Sequence, residues 1–113
     1  MMSLLALAMA SALSTATPRM ETVHLPIAGS PGDYVALHCL APRSAADRPA
    51  PTQGVLFIHG ASFPTMLAFG FEFTAGDSWM SYMAGRGYLA CGLDFLGFGE
   101  SSRPAALHAP PQD

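Results

Sequence analysis

Four consecutive apolar residues, Val55-Leu56-Phe57-Ile58, stop abruptly at His59-Gly60. A strand that is apolar on both faces suits the interior of a parallel sheet, where both faces are covered. A parallel neighbour cannot be reached through a tight hairpin; it needs a crossover of a dozen residues or more. The next strand-like run is Tyr88–Leu93 (YLACGL), and a helix signal lies between the two. Ser78 is a helix cap, Asp77 adds negative charge at that end, and Gly85 and Gly87 are stop signals. The apolar positions of the helix, Ser78–Arg86, are Trp79, Tyr82 and Met83, with Met80 alongside. Together the three elements predict a βαβ unit with a right-handed crossover and a parallel strand pair.

Upstream, Glu21–Ile27 alternates polar and apolar at period two, with Val23, Leu25 and Ile27 on one face. The cluster Gly29-Ser30-Pro31-Gly32-Asp33 is a turn, and Tyr34–Leu40 (YVALHCL) is a second strand, so a β-hairpin is expected. Ala41–Gln53 is rich in Pro and Ala and reads as an exposed connection. The fold class is α/β: a hairpin, then a parallel βαβ unit.

Residues 1–17 differ from the rest. They carry no charge, and Leu4 to Leu13 form an apolar run of signal-peptide length, shorter than the roughly 20 residues of a spanning helix. Ala10-Ser11-Ala12 resembles a cleavage site, yet no positive residue precedes Arg19. Two readings stand open: a secretory signal, or a dispensable leader over 1–19 with the folded part over 20–113. The first places the protein in a secreted or periplasmic setting; the second favours the cytoplasm.

Half of the chain is hydrophobic and 12% is charged, which argues against intrinsic disorder. The net charge is −3, with five Arg and no Lys. Nucleic-acid binding needs many cations, so it is not expected here. The four His residues (24, 38, 59, 108) show no ligand spacing, so no metal is expected, and no cofactor is implied. Cys39 and Cys91 each sit in an apolar, strand-like run and read as buried thiols, a disulfide being the minority alternative.

Two stretches can carry chemistry. In the first, Gly60 lets the chain turn sharply at the carboxyl end of a buried strand, where α/β sites lie. Backbone N–H groups left free in such a turn are what an oxyanion needs. The second ends in Asp94-x-x-Gly97-x-Gly99-x-Ser101. It fails as a dinucleotide fingerprint, because the third glycine is missing and Glu100 would face the pyrophosphate.

Taken together, the two stretches resemble the α/β-hydrolase fold family. Its members carry a hydrophobic strand ending in His-Gly, a helix, Gly-Tyr/Phe, a strand, and Asp-x-x-Gly-x-Gly-x-Ser. The resemblance spans about residues 21 to 105, most of the folded part, and says little about substrate. It implies ester or amide hydrolysis of a small molecule in the complete parent. It places one oxyanion donor on the N–H of Ala61, with Ser62 next in line. His59, Gly60, Asp94, Gly97, Gly99 and Ser101 would be structural. Phe63, Phe69, Phe71 and Phe73, in the segment between Gly60 and Ser78, either pack as a satellite core or line the pocket.

The departures are as informative. The nucleophile elbow, Gly-x-Ser-x-Gly, is absent, as are the family's late Asp/Glu and His. The chain therefore reads as an incomplete, N-terminal portion of the hydrolase sheet, inactive alone. In the family's strand order, the far side of the third strand pairs with the nucleophile strand, so Val55–Ile58 would present an open apolar edge. The rival reading is a non-enzymatic remnant or partner-dependent module. A minor alternative is a GDSL-type esterase, since Gly76-Asp77-Ser78 carries that family's nucleophile block. Oligomeric state and substrate are not legible.

Overall fold

The computed structural model describes residues 19–42, 51 and 53–111. The leader through residue 18 and most of the Pro-rich connection lie outside them. Four strands form one sheet: β1 (Met20–Pro26), β2 (Tyr34–Leu40), β3 (Gly54–Ile58) and β4 (Leu89–Leu93). Two short helices, α1 (Thr65–Ala68) and α2 (Trp79–Gly85), join β3 to β4, and a 3-10 turn covers Ala105–His108. The sheet order is β1-β2-β4-β3.

The hairpin is antiparallel, with Val23 opposite Leu37, and closes through Ile27 N–H donating to Asp33 O at 3.1 Å. Gly29 and Gly32 have φ of 80° and 86°, values that glycine reaches without a Cβ penalty. β3 and β4 are parallel, with Leu56 opposite Cys91. The crossover holds one more helix than the sequence pattern suggests. α1 begins five residues after Gly60, in the segment read as a loop.

α2 is capped by Ser78, whose Oγ accepts Ser81 N–H at 3.0 Å. It ends in a Schellman motif: Tyr88 N–H reaches Met83 O, Gly87 N–H reaches Ala84 O, and Gly87 takes φ 93°. Its buried face matches the expected one only in part: Met80 is in the core and Met83 packs beside it. Met80 and Ala84 point inward, whereas Trp79 and Tyr82 are exposed. An i, i+4 pair of slim side chains sits flat on the sheet, and the aromatic rings are left at the flank, where Tyr82 stacks under the Arg86 guanidinium at 3.6 Å.

The core is small. Leu40, Met80, Ala84 and Ala90 are buried, with Met20, Phe57, Phe69 and Met83 packed around them. All lie on the sheet face that the helices cover. Strand alternation assigns the opposite face to Val23, Leu25, Val35, Leu37, Leu56, Ile58, Leu89 and Leu93. Among the described residues nothing packs on that face. Leu56 is 57% exposed and Ile58 48%. β3 pairs only with β4 and stands at the edge of the sheet, leaving Val55–Ile58 with an open apolar edge. Its continuous apolarity is therefore unmatched by cover on either its outer edge or its far face.

A disulfide replaces the two expected thiols. Cys39 and Cys91 are register partners across β2 and β4, with Cα atoms 4.1 Å apart. Asp94 N–H donates to Ala36 O, which makes that pair a hydrogen-bonded one. Alternation then makes Cys39 and Cys91 a close, non-hydrogen-bonded pair, the kind that brings opposed side chains nearest together. No helix of the described residues is long and apolar enough to cross a membrane.

Candidate functional site

The carboxyl ends of β3 and β4 meet at His59. The ring is 3% exposed. Its Nε2 accepts Phe95 N–H at 3.0 Å, so Nδ1 carries the proton and donates to Gly60 O at 2.6 Å. Phe95 and Phe98 pack against the ring at 4.7 and 5.0 Å. Both nitrogens are thus occupied by main chain. His59 ties the turn after β3 to the turn after β4 and holds no free lone pair for chemistry.

Beyond it the chain bends through Ala61, Ser62 and Phe63, all exposed. Among the described residues, no hydrogen bond uses the N–H groups of Gly60, Ala61, Ser62 or Phe63. Pro64 has no N–H and opens α1. The bend therefore presents up to four unpaired donors at the sheet's carboxyl edge. Phe69 lies beneath, half-buried, its ring 4.9 Å from Phe57. Phe63 is exposed, and Phe71 and Phe73 are exposed and meet edge to face at 5.0 Å.

Asp94, 1% exposed, organises the second turn. Its Oδ1 accepts Thr65 N–H at 2.8 Å, fixing the start of α1. Its Oδ2 accepts Glu100 N–H at 3.1 Å and lies 2.7 Å from His38 Nε2. Burial pushes the Asp94 carboxyl up; hydrogen bonds from His38 and from the Glu100 and Thr65 N–H groups outweigh it and hold the group below its usual range. Gly99 has φ 50°, and a Cβ there would collide with the Asp94 carboxyl. Gly97 has φ 85°. Ser101, buried, donates to Asp94 O at 2.6 Å and accepts Ala36 N–H at 2.8 Å. The Asp-x-x-Gly-x-Gly-x-Ser segment is a self-braced loop sewn to β2.

The carboxylate can only accept, so His38 Nε2–H must donate. The other ring nitrogen, Nδ1, lies 2.9 Å from Thr22 Oγ1 and 3.6 Å from Glu100 Oε2. In the neutral ring that nitrogen accepts, and Thr22 donates its hydroxyl proton. A directed chain runs from Thr22 O–H through His38 to Asp94. Sequence reasoning missed it, because its members lie 16 and 56 residues apart. The only local hint was His38 at the same strand parity as the buried Ala36 and Leu40.

No protein family, curated protein or solved structure matches this chain. Ser78 is a helix cap that also donates to Ser81 Oγ at 2.9 Å. Among the described residues, no group of three or more His, Cys, Asp or Glu could hold a metal ion.

Proposed function

We propose that this chain carries the oxyanion-binding part of an α/β-type serine hydrolase, acting on a small ester or amide. The single observation behind this is the bend at residues 60–63: unpaired backbone donors, held at the carboxyl end of a parallel strand by a buried histidine. Such donors stabilise the negative charge that develops on a carbonyl oxygen during acyl transfer. The element order supports the same reading. A hairpin leads into β3, a helical crossover and a parallel β4, and the edge position of β3 suits a further strand beside it. The nucleophile of that chemistry is not among these 113 residues. The Cys39–Cys91 disulfide favours an oxidising compartment, in line with a secretory role for residues 1–17.

The test is a titration of the ¹⁵N-labelled chain with methylphosphonate, a tetrahedral oxyanion mimic. Amide shifts at Ala61 and Ser62, abolished in Ala61→Pro, are expected. Shifts confined to other residues, or none, would overturn the assignment. The uncovered apolar sheet face favours a second reading, a non-enzymatic module completed by another polypeptide. Under it, those amides would not respond to the anion.

A further inference from the structure

We propose that Thr22 is an activated hydroxyl, a nucleophile that takes acyl groups from activated esters with His38 as its general base. Nucleophilic hydroxyls are recognised by a base within hydrogen-bond reach and a third group that orients the base. Both conditions hold here. Thr22 Oγ1 is 2.9 Å from His38 Nδ1, and His38 Nε2 is 2.7 Å from Asp94 Oδ2. Two backbone N–H groups and the packing of Gly99 hold Asp94 in place, so the base is oriented by a rigid partner.

Two carboxylates face the ring. When His38 takes the Thr22 proton it becomes an imidazolium between two carboxylates. Asp94 is on one side and Glu100, 3.6 Å away and 63% exposed, is on the other. His38 and Asp94 are both buried, whereas Glu100 faces solvent, so Asp94 is the less screened of the two carboxylates. Thr22 is exposed and reachable by substrate.

The strand register supplies an oxyanion donor too. Asp94 N–H bonds Ala36 O, Ser102 N–H bonds Tyr34 O, and Tyr34 N–H donates to Ser102 Oγ. Even-numbered residues of β2 therefore turn their main-chain groups toward β4. Odd-numbered ones, with partners Glu21, Val23 and Leu25, carry the β1–β2 ladder. Thr22 then turns its own N–H outward along the open edge of β1. A nucleophile's own N–H is a standard oxyanion donor.

The step balances simply. The Thr22 oxygen bonds to the acyl carbon and its proton passes to His38 Nδ1. The tetrahedral species expels the alcohol or phenol oxygen, which recovers that proton. A threonine ester and a free phenol result. Thr22 lies at the opposite sheet edge from the bend at residues 60–63, and the two sites share only Asp94, which also fixes the start of α1 after the bend.

The test treats the chain with p-nitrophenyl acetate and maps the added acetyl group by mass spectrometry. Acetylation at Thr22 is expected, retained in Thr22→Ser and lost in Thr22→Val, which keeps the β-branched shape. His38→Gln should slow it about 10²-fold or more, the usual size of general-base assistance. Glu100→Gln, an exposed change that leaves the fold intact, should slow it several-fold, which keeps the test open if His38→Gln misfolds. Acetylation elsewhere that persists in Thr22→Val, or a Thr22 rate unchanged in Glu100→Gln and His38→Gln, would overturn the proposal. The methylphosphonate response of Ala61 is read separately and is unaffected by Thr22→Val.

Discussion

Asp94→Asn replaces one oxygen by NH2 at the most connected buried position of the chain. The carboxylate accepts three hydrogen bonds, from Thr65 N–H, Glu100 N–H and His38 Nε2–H. The amide has one acceptor oxygen. If that oxygen keeps Thr65, the NH2 group faces Glu100 N–H, donor against donor. If the amide flips, Thr65 N–H is orphaned instead. Either way one N–H loses its partner, at about 1–3 kcal/mol when buried. The bond to His38 loses its charge assistance in either orientation, and a charged hydrogen bond is worth about 1.5–3 kcal/mol. Asp94 is 1% exposed, so solvent screening takes little off these figures. The expected loss is about 3–5 kcal/mol, a large part of the stability of a small domain. Urea unfolding of dilute samples, followed by circular dichroism, measures it. A loss below about 1 kcal/mol would refute this account of the Asp94 network.

The same carboxylate predicts a pH dependence. Its folded pKa lies below its unfolded value, about 3.9. Its contribution is therefore complete above about pH 4 and disappears as pH falls through the folded value. The wild-type chain should lose stability more steeply than Asp94→Asn in that acid window. Equal slopes would count against the shift.

Replacing Cys39 and Cys91 together by Ala opens a loop of sequence separation 52. The chain-entropy argument then gives a loss of about 4 kcal/mol, readable as a lower urea midpoint. Gly99→Ala should cost at least about 1–2 kcal/mol for a positive φ alone, with more from displacing Asp94; a neutral result by thermal melt would deny the close approach. Ser78→Ala should lower stability by about 1 kcal/mol as a lost helix cap. A fluorophosphonate probe should not label Ser78; labelling there would make it a nucleophile. The uncovered sheet face should make the chain self-associate as concentration rises, with Leu56→Lys and Ile58→Glu reversing this in sedimentation velocity.

Local chemistry alone determined much of the architecture. Period-two alternation and a glycine-rich turn are complete instructions for a hairpin. Ser78 and Gly87 mark the ends of α2 because caps are satisfied within a few residues of themselves. A continuous apolar run followed by a helix signal and a second apolar run leaves a parallel pair as the economical solution. The bend after His59 was legible for the same reason: Gly60 and the small residues after it act locally.

Register and burial were decided only by the tertiary structure. Cys39 and Cys91 look alike as buried thiols or as a disulfide, until β2 and β4 align them as close partners. The face that α2 buries depends on where the sheet lies, so Met80 and Ala84 outcompete the larger Trp79 and Tyr82. Thr22, His38 and Asp94 come from three different elements, and no spacing in one strand encodes a contact made across three. Short-range preferences are written residue by residue, whereas a hydrogen-bonded chain across a sheet exists only once the strands have found their order.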